Sequence, residues 1–244
     1  MTITALAPYR DDKGNTIIYS GTGGRDVTVE FRGSNNTLEV AETANLRKVH
    51  FSFDCDNGVA RIGGHKTGNF AAFIRIGQDS TVTIGDDVTA TQSVSMTCVE
   101  GQTLTIGNDC MFAVGCQVRT DDAHAIFDVR SGERVNPSKP VVVGNHVWLS
   151  NGSVLLGGAT VGDGSVIGVG SLVKGRIPNN CIAVGAPAKV VRMHTAWERP
   201  HLSLSKPYYK PDASTVKKSA YWNMTVMAPE YPSFKYPDYS NAAR

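Results

Sequence analysis

A polar stretch between residues 119 and 140 carries the side chain best suited to proton transfer, His124. An imidazole with a pKa of about 6.5 is largely neutral near pH 7, so it can accept a proton from a hydroxyl group. Asp121, Asp122 and Glu133 lie close by in the sequence, and each carboxylate could orient the second ring nitrogen. These residue types predict a general base on a loop and leave its orienting partner open.

The element that must position this loop is a six-residue repeat between Val143 and Pro178. The first position of every unit is aliphatic, at Val143, Leu149, Leu155, Val161, Ile167 and Val173. The fifth position is mostly small, at Ser153, Ala159, Ser165 and Ser171. A helical face repeats every three to four residues and a half-buried strand every two, so a period of six favours a flat-sided solenoid. Three units would close one triangular coil, and coils must stack to bury their inner faces.

A looser repeat precedes the regular one. Four aliphatic residues are each twenty-two positions apart: Val40, Ile62, Ile84 and Ile106. Since twenty-two is eighteen plus four, this spacing predicts early coils that each carry one enlarged corner. Ile106 and Val143 are thirty-seven positions apart, which predicts one coil of eighteen that contains an insertion of nineteen residues.

These repeats divide the chain into three parts. We expect an N-terminal cap over residues 1–36 and a β-helix of about six coils over residues 37–192, with an inserted loop at about 119–140. At about 4.8 Å per coil, the solenoid would be roughly 30 Å long. The proline-rich and aromatic segment 193–244 is expected to pack on the helix or on a neighbouring subunit.

Three segments together resemble a known family. They read TDDAH at 120–124, KPVVVGNHVWL at 139–149 and GAPAKVV at 185–191, with Ala186 where asparagine or serine is usual. In this order, and around the hexads, they resemble the hexapeptide-repeat acetyltransferases. Residues 195–201, which read TAWERPH, resemble the bacterial capsular polysialic acid O-acetyltransferases within that family.

The resemblance implies an all-β fold, the left-handed parallel β-helix, with an extended loop and an irregular C-terminal tail. It implies a homotrimer that binds acetyl-CoA in grooves between subunits, near loops that reach a neighbouring copy. His124 would be the general base, and Trp148 would lie beside the acetyl group and position it. Ser150 and Gly168 would line the pantetheine path, and the cations Lys174 and Lys189 would contact the nucleotide.

The composition excludes several other classes of protein. The formal net charge of +2 does not favour a nucleic-acid partner, and no apolar run is long enough to span a membrane. Residues 1–10 lack the basic and apolar regions of a signal peptide. The five cysteines show no C-x-x-C spacing, which predicts free thiols in a reducing cytoplasm.

Several functions stay open at this point. The first is acetyl-CoA-dependent O-acetylation of a bacterial surface polysaccharide, in particular a capsule that contains sialic acid. The second is O- or N-acetylation of a small sugar, a nucleotide sugar or an antibiotic. A non-catalytic binding module is disfavoured by His124 and Trp148. A metalloenzyme such as a γ-type carbonic anhydrase would need grouped histidines, and no H-x-x-x-x-H pair exists, so no metal is expected.

Two further features concern the polysaccharide acceptor and a corner of the predicted solenoid. Aromatic and basic side chains of the tail suit sugar rings and sialic acid carboxylates: Trp197, Arg199, Tyr208, Tyr209 and Lys210. His146 lies at a predicted corner with no motif around it, and we assign it no role.

Overall fold

The computed structural model describes residues 1–202 and 213–227, and in this part the chain is a left-handed parallel β-helix, as predicted. Three sheets, here called faces A, B and C, form the sides of a triangular prism. The bounds of every strand follow, face by face.

Face A contains β1 (Thr2–Ile3), β4 (Gly24–Phe31), β6 (Leu46–Phe53), β8 (Phe70–Ile76), β11 (Val94–Cys98), β14 (Gln117–Arg119), β17 (Val154–Leu155) and β20 (Leu172–Val173). Face B contains β2 (Tyr9–Arg10), β3 (Thr16–Ile18), β5 (Thr37–Val40), β7 (Val59–Ile62), β9 (Thr81–Ile84), β12 (Thr103–Ile106), β15 (Val141–Val143), β18 (Thr160–Val161) and β21 (Arg176–Ile177). Face C contains β10 (Thr89–Ala90), β13 (Met111–Phe112), β16 (Trp148–Leu149), β19 (Val166–Ile167), β22 (Ile182–Gly185) and β23 (Ala188–Arg192).

The eighteen-residue coil is confirmed by the strand register. Val143 pairs with Val161 in the next coil, eighteen positions on, and with Ile106 in the preceding coil. All six aliphatic residues at the first hexad position are buried, and so are the small residues at the fifth position. The solenoid interior is therefore made of columns of aliphatic side chains with small residues at the corners.

A ladder of side-chain oxygens joins the coils along the edge between faces B and C. The backbone N–H of Gly64 donates to Asp86, that of Asp86 to Asn108, and that of Asn108 to Asn145. The N–H of Asn145 then donates to Asp163, and each of these four bonds is 2.8 Å long. These short polar side chains satisfy corner N–H groups that no strand pairs, which explains why the corners are rich in Asn and Asp.

The early coils differ from the prediction of one enlarged corner. The extra residues lengthen the strands, because β11 and β12 have five and four residues where β17 and β18 have two each. The corner between β9 and β10 spans four residues, as does the corner between β15 and β16. The early coils are therefore wider on two faces, with corners of ordinary size.

The parallel sheets begin earlier than residue 37. β3 pairs in parallel with β5, and β4 pairs in parallel with β6. At this outer end of the prism, β1 pairs antiparallel with β4, and β2 pairs antiparallel with β3. The β-helix consequently has about seven turns, and the expected number of about six was too low.

The inserted loop lies where the spacing predicts it, between the end of β14 and the start of β15. Face C ends in an antiparallel pair, β22 with β23. Beyond it, residues 193–202 and 213–227, here called the strap, return along the edge between faces B and C and include one short 3-10 helix, Ala213–Thr215. Asn180 fastens the strap, because its side chain donates to the carbonyls of Thr195 and Tyr221.

Two further expectations concern the cysteines and the membrane. All five cysteines are free thiols, as predicted, and only Cys55 is exposed. Among the residues described, no helix is both long and apolar enough to cross a bilayer.

The aliphatic columns lead to a stability prediction. Ile167 is fully buried between Leu149 and Ala183 of the adjacent coils. Ile167→Ala should lower the free energy of unfolding by about 2–5 kcal/mol, because it opens a cavity that neighbouring coils cannot close. Urea denaturation followed by circular dichroism measures the loss.

Val169→Ala is the matched control, since Val169 lies two residues away and is 75% exposed. It should change the free energy of unfolding by about 0.5 kcal/mol or less. Equal losses in both variants would contradict the assignment of the inner column.

Candidate active site

The base of the inserted loop is fixed to the solenoid, and His124 lies just beyond that fixed base. The buried carboxylate of Asp121 accepts bonds from the Thr97 hydroxyl and from the backbone N–H of Ala123, both 2.9 Å long. The N–H of His124 donates to the carbonyl of Asp122 at 2.8 Å. His124 is exposed, and its imidazole makes no hydrogen bond within residues 1–202 and 213–227. Its ring is therefore open to a substrate hydroxyl.

Asn136 closes the loop behind His124. Its amide nitrogen donates to the carbonyl of His124 at 2.9 Å and to the carboxylate of Asp122 at 3.1 Å. Its amide oxygen accepts from the N–H of Ile126 at 2.7 Å. One side chain thus holds both strands of the loop around the candidate base.

None of the three carboxylates considered as orienting partners forms a hydrogen bond to the His124 ring in the described part of the chain. Asp121 and Asp122 hold the loop backbone and Asn136, as described above. The side chain of Glu133 is exposed and forms no bond to His124. Within the described part of the chain, no carboxylate orients the His124 ring.

A second group of candidate residues lies on face C and at its edge with face A. Trp148 is half-buried on β16, between Met111 and Val166 of the adjacent coils. Ser150 and Gly168 occupy the corners that follow face C, one coil apart. These residues lie on face C and on the edge that follows it, and Ser150 is buried there.

A side chain at Gly168 would require Val184 to move. A Cβ atom there would lie 2.5 Å from the Cγ1 atom of Val184. Lys189 lies beyond it on β23, where it pairs with Val184 and is exposed. The exposed ammonium group of Lys189 therefore belongs to the far end of the face C group.

The structure separates His124 from Trp148 within one chain. The inserted loop leaves the edge between faces A and B, which is opposite face C in the prism. His124 is three residues from the buried Asp121, so the chain can carry it roughly 10 Å from that edge. Lys174 follows β20 and lies at the same edge as the loop, away from Lys189. The candidate residues thus form two groups on opposite sides of the solenoid.

His146, to which sequence analysis assigned no role, is the centre of a buried cluster. Its side chain is 2% exposed and lies between two parallel aromatic rings, with ring centroids 4.2 Å from Trp197 and 4.7 Å from Tyr221. Its Nδ1 atom is 2.6 Å from the Asp109 carboxylate, and its Nε2 atom is 2.9 Å from the carbonyl oxygen of Trp197. Both ring nitrogens thus face acceptors, which favours the doubly protonated ring.

The electrostatics of this cluster favour the imidazolium. Burial lowers the pKa of His146, but the bonds to Asp109 and to the Trp197 carbonyl outweigh burial, and the pKa is raised. Burial raises the pKa of Asp109, but the bonds from His146 and Arg199 outweigh it, and the pKa is lowered. The two groups therefore form an ion pair under the edge of face C.

Arg199 adds a second cation to the same edge. Its guanidinium donates to the Asp109 carboxylate at 2.7 Å and to the Thr89 hydroxyl at 2.8 Å. It also donates to the carbonyl oxygens of Asp87 and Cys110, each at 3.0 Å. Arg199 therefore fastens the strap, and four of its five N–H donors are engaged by protein groups.

The strap also reaches the candidate site on face C. The indole ring of Trp197 contacts that of Trp148, with centroids 5.9 Å apart at an angle of 45°. Trp197 is buried, and its indole N–H donates to the carbonyl of His146 at 2.8 Å. Of the tail residues proposed for sugar binding, Tyr208, Tyr209 and Lys210 lie outside the described residues.

An open polar cavity lies along the edge between faces B and C. Asp86, Asp87, Asp109, Arg199 and Tyr221 are among its lining residues. It is remote from the edge that carries His124. Among the residues described, no group of three or more His, Cys, Asp or Glu side chains could hold a metal ion.

A left-handed β-helix with an inserted loop and a tryptophan on one face is the architecture of hexapeptide acyltransferases. The family described as bacterial transferase hexapeptide (six repeats) matches residues 140–175. The polysialic acid O-acetyltransferase of Neisseria meningitidis is 30% identical over 148 residues, which cover 52% of this chain and 68% of that protein. The chain belongs to this family of hexapeptide-repeat acetyltransferases, and its class is O-acetyltransferase.

Other relatives match over less of their length. The galactoside O-acetyltransferase of Escherichia coli K12 is 35% identical over 98 residues, 40% of this chain and 48% of that protein. The polysialic acid O-acetyltransferase of Escherichia coli O1:K1 is 32% identical over 96 residues, 39% of this chain and 31% of that protein. The matched part of the chain thus spans about half of the galactoside O-acetyltransferase and about a third of the polysialic acid O-acetyltransferase of Escherichia coli O1:K1.

Among solved structures, the polySia-specific acetyltransferase NeuO superposes with a TM-score of 0.68 at 31% identity. The match covers 77% of this chain and 90% of that one. The polysialic acid O-acetyltransferase OatWY superposes with a TM-score of 0.51 at 24% identity, over 79% of this chain and 92% of that one. At that identity, the second likeness shows the fold alone.

The role of Asn136 in the loop can be tested by exchange. Asn136→Ala removes the acceptor for the Ile126 N–H and both donors that close the loop. Exchange of the Ile126 amide should accelerate by about threefold to tenfold, since one hydrogen bond contributes about 0.5–1.5 kcal/mol. Hydrogen–deuterium exchange with mass spectrometry of loop peptides measures it.

Arg130→Ala is the matched control, because Arg130 is exposed in the same loop and its side chain makes no bond in the described structure. In Arg130→Ala, the Ile126 amide should exchange at the rate of the parent protein. Unchanged exchange in Asn136→Ala would show that another contact holds the loop.

Proposed function

We propose that this protein transfers an acetyl group from acetyl-CoA to hydroxyl groups of a bacterial surface polysaccharide that contains sialic acid. The observation that carries the proposal is the likeness to the polySia-specific acetyltransferase NeuO over 77% of this chain, at 31% identity. The Neisseria meningitidis relative, a polysialic acid O-acetyltransferase, supports the same acceptor class.

Direct transfer with His124 as general base fits the chemistry of this pair of substrates. The neutral imidazole takes the proton of the acceptor hydroxyl while its oxygen attacks the thioester carbonyl. The tetrahedral intermediate collapses, the carbon–sulfur bond breaks, and the leaving thiolate receives the proton from the imidazolium. A thiolate leaves readily, so no covalent enzyme intermediate is required.

The donor would bind along face C and its edge with face A. Trp148 would pack beside the acetyl group, with its indole N–H available to the developing oxyanion. Pantetheine would follow the corners at Ser150 and Gly168. Lys189 at the far end would attract the coenzyme phosphates. Lys174 lies at the other edge, so in our proposal it serves a donor bound to a neighbouring copy.

The separation of His124 from Trp148 supports an active site built from two copies of the chain. A loop at the A–B edge of one copy would meet face C of the next, as in a cyclic homotrimer. Four loop side chains are large, apolar and more than half exposed: Ile126, Phe127, Val129 and Val135. Exposed apolar groups close together in one loop are typical of an interface.

The second candidate acceptor is a small sugar. It is supported by the 35% identity with the galactoside O-acetyltransferase of Escherichia coli K12. A polymer requires an open groove between copies, whereas a small sugar requires a closed pocket. The cytoplasmic location, where acetyl-CoA would be available, stays a prediction.

The base assignment is tested by His124→Ala. Transfer of acetyl groups from acetyl-CoA to purified polysialic acid should fall by about 10²–10⁴-fold, because proton removal from the hydroxyl loses its catalyst. Thiol release in a continuous colorimetric assay measures the rate. His50→Gln is the control and should retain the parent rate. His50 is a partly exposed histidine on β6, among the early coils.

The acceptor assignment is tested in the same assay. Galactosides and free sialic acid in place of the polymer should give much slower thiol release. Equal rates with a monosaccharide would favour the small-sugar candidate, and an undiminished rate in His124→Ala would move the base elsewhere.

The shared site leads to a complementation experiment. His124→Ala lacks the loop function and Trp148→Ala lacks the face C function, so each variant alone should be nearly inactive. Unfolding and refolding an equal mixture should restore about a quarter of the parent activity, since a quarter of neighbouring pairs in a random trimer combine an intact loop with an intact face C. No recovery from well-assembled mixtures would place both residues in the site of one copy.

A further inference from the structure

We propose that His146 is a positioning residue: as an imidazolium it holds Trp197 against Trp148 and so shapes the acetyl-donor side of the active site. The inference rests on the proposed function, because it takes Trp148 as a wall of the donor site. It assigns a role to a histidine that touches neither substrate and that lies at a corner of the solenoid.

The geometry requires a charged ring. The Nδ1 atom faces the Asp109 carboxylate at 2.6 Å, and the Nε2 atom faces the Trp197 carbonyl at 2.9 Å. A carbonyl oxygen can only accept, and a carboxylate with a lowered pKa is ionised. Both ring nitrogens therefore donate, and only the imidazolium has two N–H donors.

The aromatic rings stabilise this charge and link it to the active site. The rings of Trp197 and Tyr221 lie on opposite sides of His146, at interplanar angles of 14° and 6°. Ring faces attract cations, most strongly when the pair is shielded from water. Trp197 then contacts Trp148 on face C, so the position of one indole limits that of the other.

The charged groups around His146 act in two directions: the carboxylates of Asp109 and Glu198 favour its protonated form, and the Arg199 guanidinium, which is paired with Asp109, opposes it. The charged and titratable groups there comprise Asp109 and Cys110 after β12, Asp163 at the next corner, Glu198 and Arg199 in the strap, and Tyr221. Burial raises the pKa of Cys110 to about 12 and that of Tyr221 to about 12, so both stay neutral. Burial raises the pKa of Glu198, but bonds from Ser219 and Trp222 outweigh it, so that carboxylate is ionised.

The pH dependence follows from the raised pKa of His146. In the docked state, the strap is packed against the solenoid. A group whose pKa is higher in this state than in the free chain stabilises the docked state at pH values below its pKa in the free chain. That contribution is lost as the pH rises through its pKa in the docked state. Activity should therefore decline on the alkaline side as His146 loses its proton.

The experiment uses 19F NMR of the full-length assembled protein labelled with 5-fluorotryptophan, with resonances assigned by single Trp→Phe variants. In the parent, the Trp148 and Trp197 resonances should shift together on the alkaline titration. His146→Gln should shift the Trp148 resonance at neutral pH, remove its titration, and lower kcat/KM for acetyl-CoA by roughly 10- to 100-fold, the scale of a misplaced active-site group.

His194→Gln is the matched control, since His194 is an exposed strap histidine whose ring, among the described residues, accepts a hydrogen bond from the Thr225 N–H alone. Its Trp148 resonance and its alkaline pH profile should equal those of the parent. If His146→Gln fails to assemble, Asp109→Asn is used in its place. The alkaline decline of activity should then begin at lower pH, because the imidazolium loses its counter-charge.

An unchanged Trp148 resonance in His146→Gln, or a lower melting temperature with the parent pH profile and KM, would overturn the proposal and leave His146 a purely structural residue. The 19F readout does not depend on catalysis. An active His124→Ala variant would therefore refute the proposed base while the coupling of His146 to Trp148 is judged on its own.

Discussion

Every part of this protein depends on one constraint: a coil can bury its inner face only against the coils above and below it. The inward columns are fully buried because residues such as Leu149 and Ile167 meet their equivalents in register. The columns leave no room for polar chemistry inside the prism. All functional groups must therefore lie on the outer faces or at the three edges.

The three edges have different contents, and this difference determines the site. The A–B edge carries the inserted loop with His124, the C–A edge carries Ser150 and Gly168, and the B–C edge carries the polar ladder and the strap. Within one chain, the candidate base His124 and Trp148 lie on opposite sides of the solenoid. The same rigidity that positions each group makes a second copy necessary for the proposed reaction.

Much of the fold could be predicted because the signal is local. Val143 to Val173 repeat residue type at a fixed period, so the eighteen-residue coil and the position of the insertion follow from spacing. The early coils could not be assigned in the same way, because additional strand residues and a larger corner give the same spacing of twenty-two. The segment before residue 37 lacks a clear hexad, yet its strands join the sheets through long-range pairing.

Residues of the candidate site could be predicted only where they lie in a recognisable motif. His124 and Trp148 lie in segments that resemble the family, whereas His146 depends on Asp109, thirty-seven positions earlier, and on Trp197, fifty-one positions later. No local pattern reports a contact between residues so far apart. A buried histidine that links the strap to the solenoid is visible only once the coils are stacked.

The shared active site is tested most directly by an experimental structure of the assembled protein with coenzyme A and a sialic acid oligosaccharide. We expect the His124 imidazole of one copy to lie within about 2.6–3.2 Å of an acceptor hydroxyl, beside the Trp148 indole of the neighbouring copy. Coenzyme bound along a single chain, with His124 remote from the acceptor, would contradict this expectation.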